Sequence, residues 1–333
     1  MQIKDPNSAV EVVATSGRGA RFLLMLVALA LALATAASYL GTWWWGLALI
    51  VHFRPHLAAA SLVSLGVALL WRTRLIGALC LVAFAINTAP LLHYLGMAGG
   101  AEAVPSANLR VLEYNMHGAA TDRAAFRELI ESEQPDIVVL SEIADNSTAL
   151  AEQITGLPVY RSGDPPHLLY SAVVFSRWPL TNLRIERTTD GVGSVLSAEL
   201  CASERWRGCL RIVALHAAPP FAAGAVTQAQ QLEIAARLAA EAPERRVLLA
   251  GDLDSTPWSP AFRKLLLHGG LVDTGPRRGL TATWLSRVPF VGLLIDHVLV
   301  SPGIAVADNR LGFGVGSNHF PVIVDLAIPF GAP

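Results

Sequence analysis

The chain has 333 residues, of which 53% are hydrophobic and only 15% are charged, whereas about 25% charged is usual for a soluble protein. After position 100 there are 19 Lys/Arg residues against 24 Asp/Glu residues. This acidic balance argues against strong non-specific binding to nucleic acid, which depends on cationic surface, although it does not exclude a nuclease.

The deficit of charge lies in the N-terminal part. Between Phe22 and Met97 there is no Asp or Glu, and the basic residues are Arg54, Arg72 and Arg74. Such long apolar stretches indicate membrane spans. We predict a tail over residues 1–21 and a membrane region over residues 22–97 with about three transmembrane helices. The predicted spans are Phe22–Leu40, Leu57–Trp71 and Leu75–Leu95.

Flanking arginines predict the orientation of these spans. Arg18 and Arg21 precede the first span, and Arg72 and Arg74 separate the second from the third. The positive-inside rule places both pairs in the cytoplasm of a bacterial cell, so the chain leaves the third span outside it. Two alternatives stay open: residues 18–38 could be a cleaved signal peptide, or the short aromatic segment Trp43–Phe53 could cross the membrane and invert the topology.

Two of the three cysteines provide a separate indication of the compartment. Cys201 and Cys209 follow and precede two predicted strands, Ser194–Leu200 and Leu210–His216. They could face each other across a hairpin, and a disulfide there would fit an oxidising compartment. Two unrelated free thiols are the alternative.

Residues 98–107 are small and polar and predict a linker, followed by a single domain over residues 108–328 that is large enough to bury its own core. Its predicted strands outnumber its helices, and several neighbours suggest hairpins, so two packed sheets with flanking helices are expected. The other predicted strands are Leu109–Asn115, Ile137–Leu140, Leu168–Phe175, Arg246–Ala250, Ile295–Val300 and Pro321–Leu326. The predicted helices are Thr121–Ser132, Ala144–Ile154, Ala225–Ala242 and Trp258–His268.

Polar residues adjoin most of these strands. Taken singly, a Glu after a strand is usually a solvated loop residue, Asp-x-Asp is usually a turn, and a lone His usually fills a core or loop. Six such features in one domain favour a functional site. They are Tyr114-Asn115-Met116-His117-Gly118, Ser141-Glu142, His216, Gly251-Asp252-Leu253-Asp254, Asp296-His297 and Ser317-Asn318-His319.

In order, spacing and strand context these motifs resemble the endonuclease/exonuclease/phosphatase (DNase I-like) superfamily, over about residues 108–328. The preceding apolar segments resemble a membrane-anchored bacterial branch of it. The resemblance implies an α/β fold, a four-layer α/β/β/α sandwich preceded by N-terminal transmembrane helices. It also implies hydrolysis of phosphoester bonds with a divalent metal, Mg²⁺ or Mn²⁺.

The resemblance further implies a role for each motif residue. Glu142 would be the main metal ligand, with Asn115 and Asn318 beside it. Asp252 would orient or deprotonate the attacking water, supported by Asp254. The remaining roles concern the phosphate: His216 would contact it, His319 would stabilise its charge, and Asp296 would hold His319.

These residue types also suit the chemistry on physical grounds. Hydrolysing a phosphodiester requires a nucleophile held in line and neutralisation of the charge that develops on phosphoryl oxygens. A hard cation held by carboxylates neutralises charge and lowers the pKa of bound water. An Asp–His pair such as Asp296–His319 fixes the imidazole tautomer, although it could also be only a buried structural pair.

Two positions depart from the family pattern. The chain has Gly-Asp-Leu-Asp where the family usually has Gly-Asp-Phe-Asn, and Ser-Asn-His where it usually has Ser-Asp-His. Asp254 thus replaces an amide and Asn318 replaces a carboxylate. We hypothesise that the two groups have exchanged places with the total charge kept. A weakened or inactive enzyme is the competing interpretation.

Three functions follow as hypotheses. The first is a membrane-anchored metal-dependent phosphodiesterase or phosphatase whose partners are the lipid bilayer and a lipid headgroup or small phosphoester. The second is an extracytoplasmic nuclease of the same fold, and the third is a non-catalytic binding protein. The substrate is not determined, because the loops Arg161–His167 and Arg277–Phe290 carry no motif. Trp258 could stack on a base or headgroup, although packing at the helix start is the expected role.

Overall fold

The computed structural model describes residues 6–41, 43–96, 106–143, 147–161, 170–201, 206–242 and 245–329. The chain divides into two compact units, Met1–Leu92 and His93–Pro333. Most of the predicted linker and the loop Arg161–His167 lie outside the described residues.

The first unit is helical. Among the described residues, three helical stretches are long and apolar enough to cross a membrane, namely Arg18–Ala37, Trp45–Leu70 and Arg74–Gly96. The aromatic segment that we predicted as separate runs through a short 3₁₀ turn, Val51–Phe53, into the second stretch. The helices of this unit are α1 (Pro6–Ala37), α2 (Trp45–Ile50), α3 (Arg54–Leu70) and α4 (Arg74–Thr88), and a short helix α5 (Leu92–Gly96) begins at its last residue.

Polar side chains join these helices from inside the first unit. The buried Asn87 Nδ2 donates to Thr35 Oγ1 at 2.8 Å. The buried Arg54 donates to the Ile86 carbonyl at 3.3 Å and lies 4.9 Å from the centroid of the Tyr39 ring. Polar groups that face one another inside a bundle are typical of transmembrane helices, because lipid tails offer them no hydrogen bonds.

In the described part of the second unit the strands form two sheets. The strands of the first sheet are β1 (Leu109–Asn115), β2 (Ile137–Ser141), β3 (Val159–Arg161), β4 (Ala172–Ser176), β11 (Ala305–Leu311) and β12 (Val322–Ala327). Those of the second are β5 (Leu180–Arg187), β6 (Ser194–Leu200), β7 (Leu210–Leu215), β8 (Val247–Asp252), β9 (Val272–Asp273) and β10 (Asp296–Val300). The order of strands is β11-β12-β1-β2-β4-β3 in the first sheet and β5-β6-β7-β8-β10-β9 in the second.

Three apolar clusters show how the layers pack. One cluster joins the facing sides of the two sheets and includes Val111 and Ile212. A second lies between the first sheet and its helices, and a third lies between the second sheet and its helices. The prediction of a four-layer α/β/β/α sandwich is therefore confirmed. The helices are α6 (Arg123–Glu133) and α7 (Ser147–Thr155) on the first sheet, and α8 (Gly224–Ala240) and α9 (Pro260–Gly269) on the second.

Capping residues set the helix starts, and two predicted helices start too early. Helix α6 starts at Arg123 because the carboxylate of Asp122 accepts from the backbone N–H groups of Ala124 and Ala125. Helix α9 starts at Pro260, not at Trp258, because the Ser259 hydroxyl caps it.

The predicted hairpin β6–β7 is present with antiparallel pairing, and a disulfide joins Cys201 to Cys209. Four strands, β3, β5, β9 and β11, were not predicted. They are the edge strands of the two sheets. An edge strand pairs on one side only and need not carry a continuous apolar run, and β5 is exposed over most of its length.

Candidate active site

The topology brings the strand ends that carry the predicted residues to one edge of the sandwich. Strands β1 and β2 run parallel, as do β7 and β8, so the residues that follow them lie side by side. Strand β10 runs antiparallel to β8 and pairs Asp296 with Asp252. Strand β12 runs antiparallel to β1, so the Ser-Asn-His segment before it returns to the same edge.

Hydrogen bonds of Asn115 connect the two sheets at this edge. Its Nδ2 donates to Glu142 Oε1 at 3.0 Å and to Asp252 Oδ2 at 2.9 Å. Its Oδ1 accepts from the backbone N–H of His117. In this geometry Asn115 presents donors, and not an oxygen, to the two carboxylates that it bridges.

Both predicted histidines approach Asp252. His216 Nε2 lies 4.0 Å and His319 Nδ1 lies 3.8 Å from Asp252 Oδ2, and His216 Nε2 is also 3.6 Å from Glu142 Oε1. Asp296 is fully buried, and its two oxygens lie 3.0 and 2.9 Å from His319 Nδ1. The site is therefore a cluster of alternating acidic and imidazole groups.

Asp254 lies in the same cluster. Its carboxylate oxygen falls within 4.8 Å of ligand atoms of His216 and Asp252, and its backbone N–H donates to Asp252 Oδ1 at 2.9 Å. Its φ of 46° is left-handed, a conformation that Asp and Asn tolerate better than other non-glycine residues. Asn318 follows Ser317, whose hydroxyl donates to its side-chain oxygen at 3.4 Å.

One glycine makes this approach of strands possible. Gly251 has φ of 152°, and a Cβ at this position would lie 1.8 Å from the carbonyl oxygen of Leu215. Only glycine lets β8 pass so close to β7 immediately before Asp252.

The carboxyl groups at this edge are buried and close together, and this raises the pKa of several of them. Burial, and next the charge of Asp296, raises the pKa of Asp252. Burial, and next Asp252, raises the pKa of Asp254 well above its ordinary value. Glu113 lies on β1 with neither carboxyl oxygen hydrogen-bonded among the described residues, and burial raises its pKa well above the usual range. The edge therefore holds more acidic groups than can ionise together without added positive charge.

His319 supplies one such charge. Burial alone would lower the pKa of His319, but the charge of Asp296 and its hydrogen bond raise it to about 9. Conversely, although burial would raise the pKa of Asp296, the charge of His319 lowers it. The pair is thus an imidazolium–carboxylate pair at neutral pH.

We expect this pair to be visible in a titration. The ordinary pKa of His is 6.5, so stabilisation from the pair is complete below that pH and is lost as the pH rises through about 9. In metal-free protein the His319 ring resonance should titrate near 9, and Asp296→Asn should move its midpoint toward 6.5. The His319→Gln variant assigns the signal in NMR spectra. An unmoved midpoint in Asp296→Asn would contradict the pair.

The donor set suits a hard divalent cation. Asp252 and Asp254 group with His216, with one ligand atom of each within 4.8 Å of the others, and Glu142 Oε1 lies 3.6 Å from His216 Nε2. Mg²⁺ and Mn²⁺ prefer carboxylate oxygens such as these. A cation there would also relieve the repulsion that raises the pKa of Asp252 and Asp254. The residues present therefore fit the metal that the sequence led us to expect.

Two glutamines that the sequence motifs did not reveal hold the loops that carry His216 and Asp254. Gln231 on α8 is fully buried, donates to the carbonyl of His216 at 2.7 Å and accepts from the N–H of Ala218 at 2.8 Å. One turn earlier, Gln228 donates to the carbonyls of Leu253 and Asp254 at 3.0 Å. In the sequence, the signal for this role was the pair of glutamines, three residues apart, beside the apolar stripe of the predicted helix Ala225–Ala242.

We expect Gln231→Leu to lower kcat by about 10- to 100-fold with little change in KM, because it unpairs buried backbone groups and releases the loop of His216. Gln230→Ala is the matched control, since Gln230 bonds Thr189 at the surface. The measurement is steady-state phosphoester hydrolysis. Equal effects of the two changes, or loss only of thermal stability, would rule out positioning.

Other residues near the motifs have structural contacts. His297 is buried, its Nε2 lies 2.9 Å from the carbonyl of Ser255, and its ring packs on Phe262. Trp258 is buried, in agreement with packing at the helix start. His117 is exposed, 3.4 Å from Glu142 Oε2.

The two packed sheets with flanking helices, and the acidic and imidazole groups at their common edge, agree with the class of sandwich-fold phosphoester hydrolases. The chain belongs to the Endonuclease/Exonuclease/phosphatase family, whose sequence model matches residues 106–319. Members of this family are metal-dependent hydrolases of phosphoester bonds.

Solved structures share the fold at low sequence identity. An endonuclease/exonuclease/phosphatase from Beutenbergia cavernae is 23% identical with a TM-score of 0.56, covering 68% of this chain and 73% of its own. The 3'-5' exonuclease NExo from Neisseria meningitidis is 20% identical with a TM-score of 0.52, covering 65% and 99%. The mannosyl-6-phosphatase Bt3783 from Bacteroides thetaiotaomicron is 16% identical with a TM-score of 0.54, covering 66% and 100%. No curated protein sequence matches the chain.

Proposed function

We propose that this chain is a membrane-anchored, divalent-metal-dependent phosphoesterase acting on a lipid headgroup or a small phosphoester. The observation that carries the proposal is Asp252, which lies within 4.0 Å of both His216 and His319 and shares Asn115 with Glu142. This cluster offers a base, two phosphate-binding imidazoles and metal-binding carboxylates at one place.

In the proposed mechanism, Asp252 Oδ2 accepts a proton from, or orients, the attacking water. His216 Nε2 donates to a phosphoryl oxygen, and cationic His319, held by Asp296, stabilises charge as it develops. Glu142 would hold the metal, and Asn115 and Asn318 are the further proposed ligands, of which Asn115 would have to turn its amide to present Oδ1 in place of the Nδ2 that faces Glu142 and Asp252. When bound, such a metal would supply Lewis-acid neutralisation of charge on the phosphoryl oxygens.

The test is hydrolysis by the full-length protein in detergent, with Mg²⁺, Mn²⁺ or chelator. The substrate panel is bis-p-nitrophenyl phosphate, sphingomyelin, phosphoinositides, nicked DNA and RNA, with Glu142→Gln as the metal-site control. We expect metal-dependent turnover that Glu142→Gln abolishes. No metal-dependent turnover on any of them would overturn the proposal and favour a binding protein.

An extracytoplasmic nuclease is the second candidate. Its support is the similarity in fold to NExo, described as a 3'-5' exonuclease. The excess of 24 acidic over 19 basic residues after position 100 opposes it. Preferential turnover of DNA or RNA in the panel would decide in its favour.

For localisation we propose the bacterial cytoplasmic membrane, with the catalytic domain outside the cytoplasm. The arginine pairs Arg18/Arg21 and Arg72/Arg74 support it, as does the bond between Cys201 and Cys209. We expect maleimide to label one cysteine, Cys80, in denatured non-reduced protein and three after reduction. Three reactive thiols without reduction would contradict the disulfide and weaken the topology.

A further inference from the structure

A run of exposed apolar residues lies beside the candidate active site. The segment 287–291, Arg-Val-Pro-Phe-Val, is exposed at every residue, and the Phe290 side chain is 79% exposed. Four consecutive apolar residues in water are unfavourable and are uncommon on a soluble surface unless they have a partner. We call residues 287–291 the apolar loop.

Hydrogen bonds tie this loop to the segment that carries His319. The N–H of Ser286 donates to the carbonyl of Asn318 at 2.9 Å, and the Ser286 hydroxyl donates to the carbonyl of Ser317 at 2.8 Å. Trp284, two residues earlier, forms bridge pairs with His319 and Leu293. The apolar loop therefore projects from the rim of the catalytic edge.

Two more exposed phenylalanines lie on other loops that leave this edge of the sandwich. Phe221 is 51% exposed in the loop between β7 and α8, five residues after His216. Phe313 is 45% exposed in the loop between β11 and β12, six residues before His319. We call these two side chains and the apolar loop the apolar rim.

The chemistry of the rim favours a lipid bilayer over nucleic acid as its partner. Single-stranded nucleic acid binds stacking platforms along a cationic groove. The exposed phenylalanines have aromatic rings, but the domain around them is acidic, with 24 Asp/Glu against 19 Lys/Arg residues after position 100, and valine and proline have no aromatic ring. Apolar side chains next to a single arginine suit the boundary between acyl chains and phosphates. The chain also carries three helical stretches that could span a membrane, which would hold the domain beside a bilayer.

We propose that the apolar loop inserts into the surface of a phospholipid bilayer, with Arg287 at the phosphates and Phe290 among the upper acyl chains. The proposal builds on the membrane-anchored phosphoesterase described above. Insertion at this rim brings headgroup phosphates to the same edge as His216 and Asp252.

Depth-dependent quenching tests the insertion. The full-length protein carries Cys80→Ser to remove the free thiol and Phe290→Cys as the labelling site for the fluorophore NBD. It is reconstituted in phosphatidylcholine vesicles that contain nitroxide-labelled phosphatidylcholine as the quencher. The matched control is Leu183→Cys, since Leu183 is apolar and 45% exposed on edge strand β5. We expect quenching at position 290 at least about threefold greater than at position 183. Val291→Cys serves as a second labelling site.

Equal quenching at the two positions would overturn the proposal, as would a response at position 290 to single-stranded DNA but not to lipid. Turnover of bis-p-nitrophenyl phosphate by the same preparations reports the proposed activity separately. Turnover without loop quenching overturns the insertion alone. Quenching without turnover would support the insertion and would contradict the proposed phosphoesterase activity.

Discussion

The Asp252→Asn variant is expected to lose phosphoester hydrolysis by about 10²- to 10⁴-fold in kcat/KM. The amide keeps the size of the side chain, and its oxygen can still accept from the N–H of Asp254, as Asp252 Oδ1 does at 2.9 Å. What it loses is the basic Oδ2 that lies near His216 and His319. The measurement is turnover of bis-p-nitrophenyl phosphate by the full-length protein.

The matched control for this loss is Asp308→Asn. Asp308 makes the same kind of carboxylate contact with a cation, since Arg310 lies 2.7 Å away, but on edge strand β11. Its substitution should leave turnover within about twofold, as is usual for surface changes. If Asp252→Asn were as active as the control, Asp252 would have no part in the mechanism. The attacking water would then have no assigned base.

The second large effect concerns the exchange of Asp254 and Asn318. We expect Asp254→Asn and Asn318→Asp each to reduce turnover, and the double variant to retain far more activity than either. If the exchange is compensated, the coupling between the sites should reach at least about 1.4 kcal/mol, equivalent to tenfold in rate. The measurement is a double-mutant cycle in kcat/KM.

The raised pKa of Asp254 allows a different outcome of this double-mutant cycle. Burial and Asp252 raise the pKa of Asp254 well above its ordinary value, so a protonated Asp254 could donate as the usual family amide does. In that case Asp254→Asn alone would keep full activity. If Asp254→Asn were more active than the natural chain, the carboxylate of Asp254 would be weakening the site. Additive losses in the double variant would rule out the exchange.

Much of the catalytic domain could be predicted because its central strands are buried on both faces. Strands β1 (Leu109–Asn115) and β6 (Ser194–Leu200) have the predicted bounds, and β2, β7, β8, β10 and β12 differ by one or two residues at their ends. A strand between two neighbours must be apolar along its length, and this leaves a signal in the sequence. The strands that escaped prediction lie at the sheet edges, where polar side chains such as those of β5 meet water.

The candidate site likewise has residues that the sequence could predict and contacts that it could not. Residues at strand ends were visible in the sequence because a polar group directly after an apolar run is conspicuous, as in Gly251-Asp252. The bonds of Gln228 and Gln231 were not visible, because they reach backbone carbonyls 25 and 15 residues away. The exposure of the apolar loop was likewise undetectable, since an apolar run alone does not say whether anything packs on it.

Local composition and residue order were enough to divide the chain into an apolar N-terminal region and an acidic domain. They were also enough to find the strand-end motifs, whose resemblance to a family implied the α/β sandwich. The contacts between atoms became known from the folded chain alone: Asn115 bridges Glu142 and Asp252, and the two histidines approach one carboxylate. Hydrogen bonds and pKa shifts depend on distances between segments far apart in sequence, and folding sets those distances.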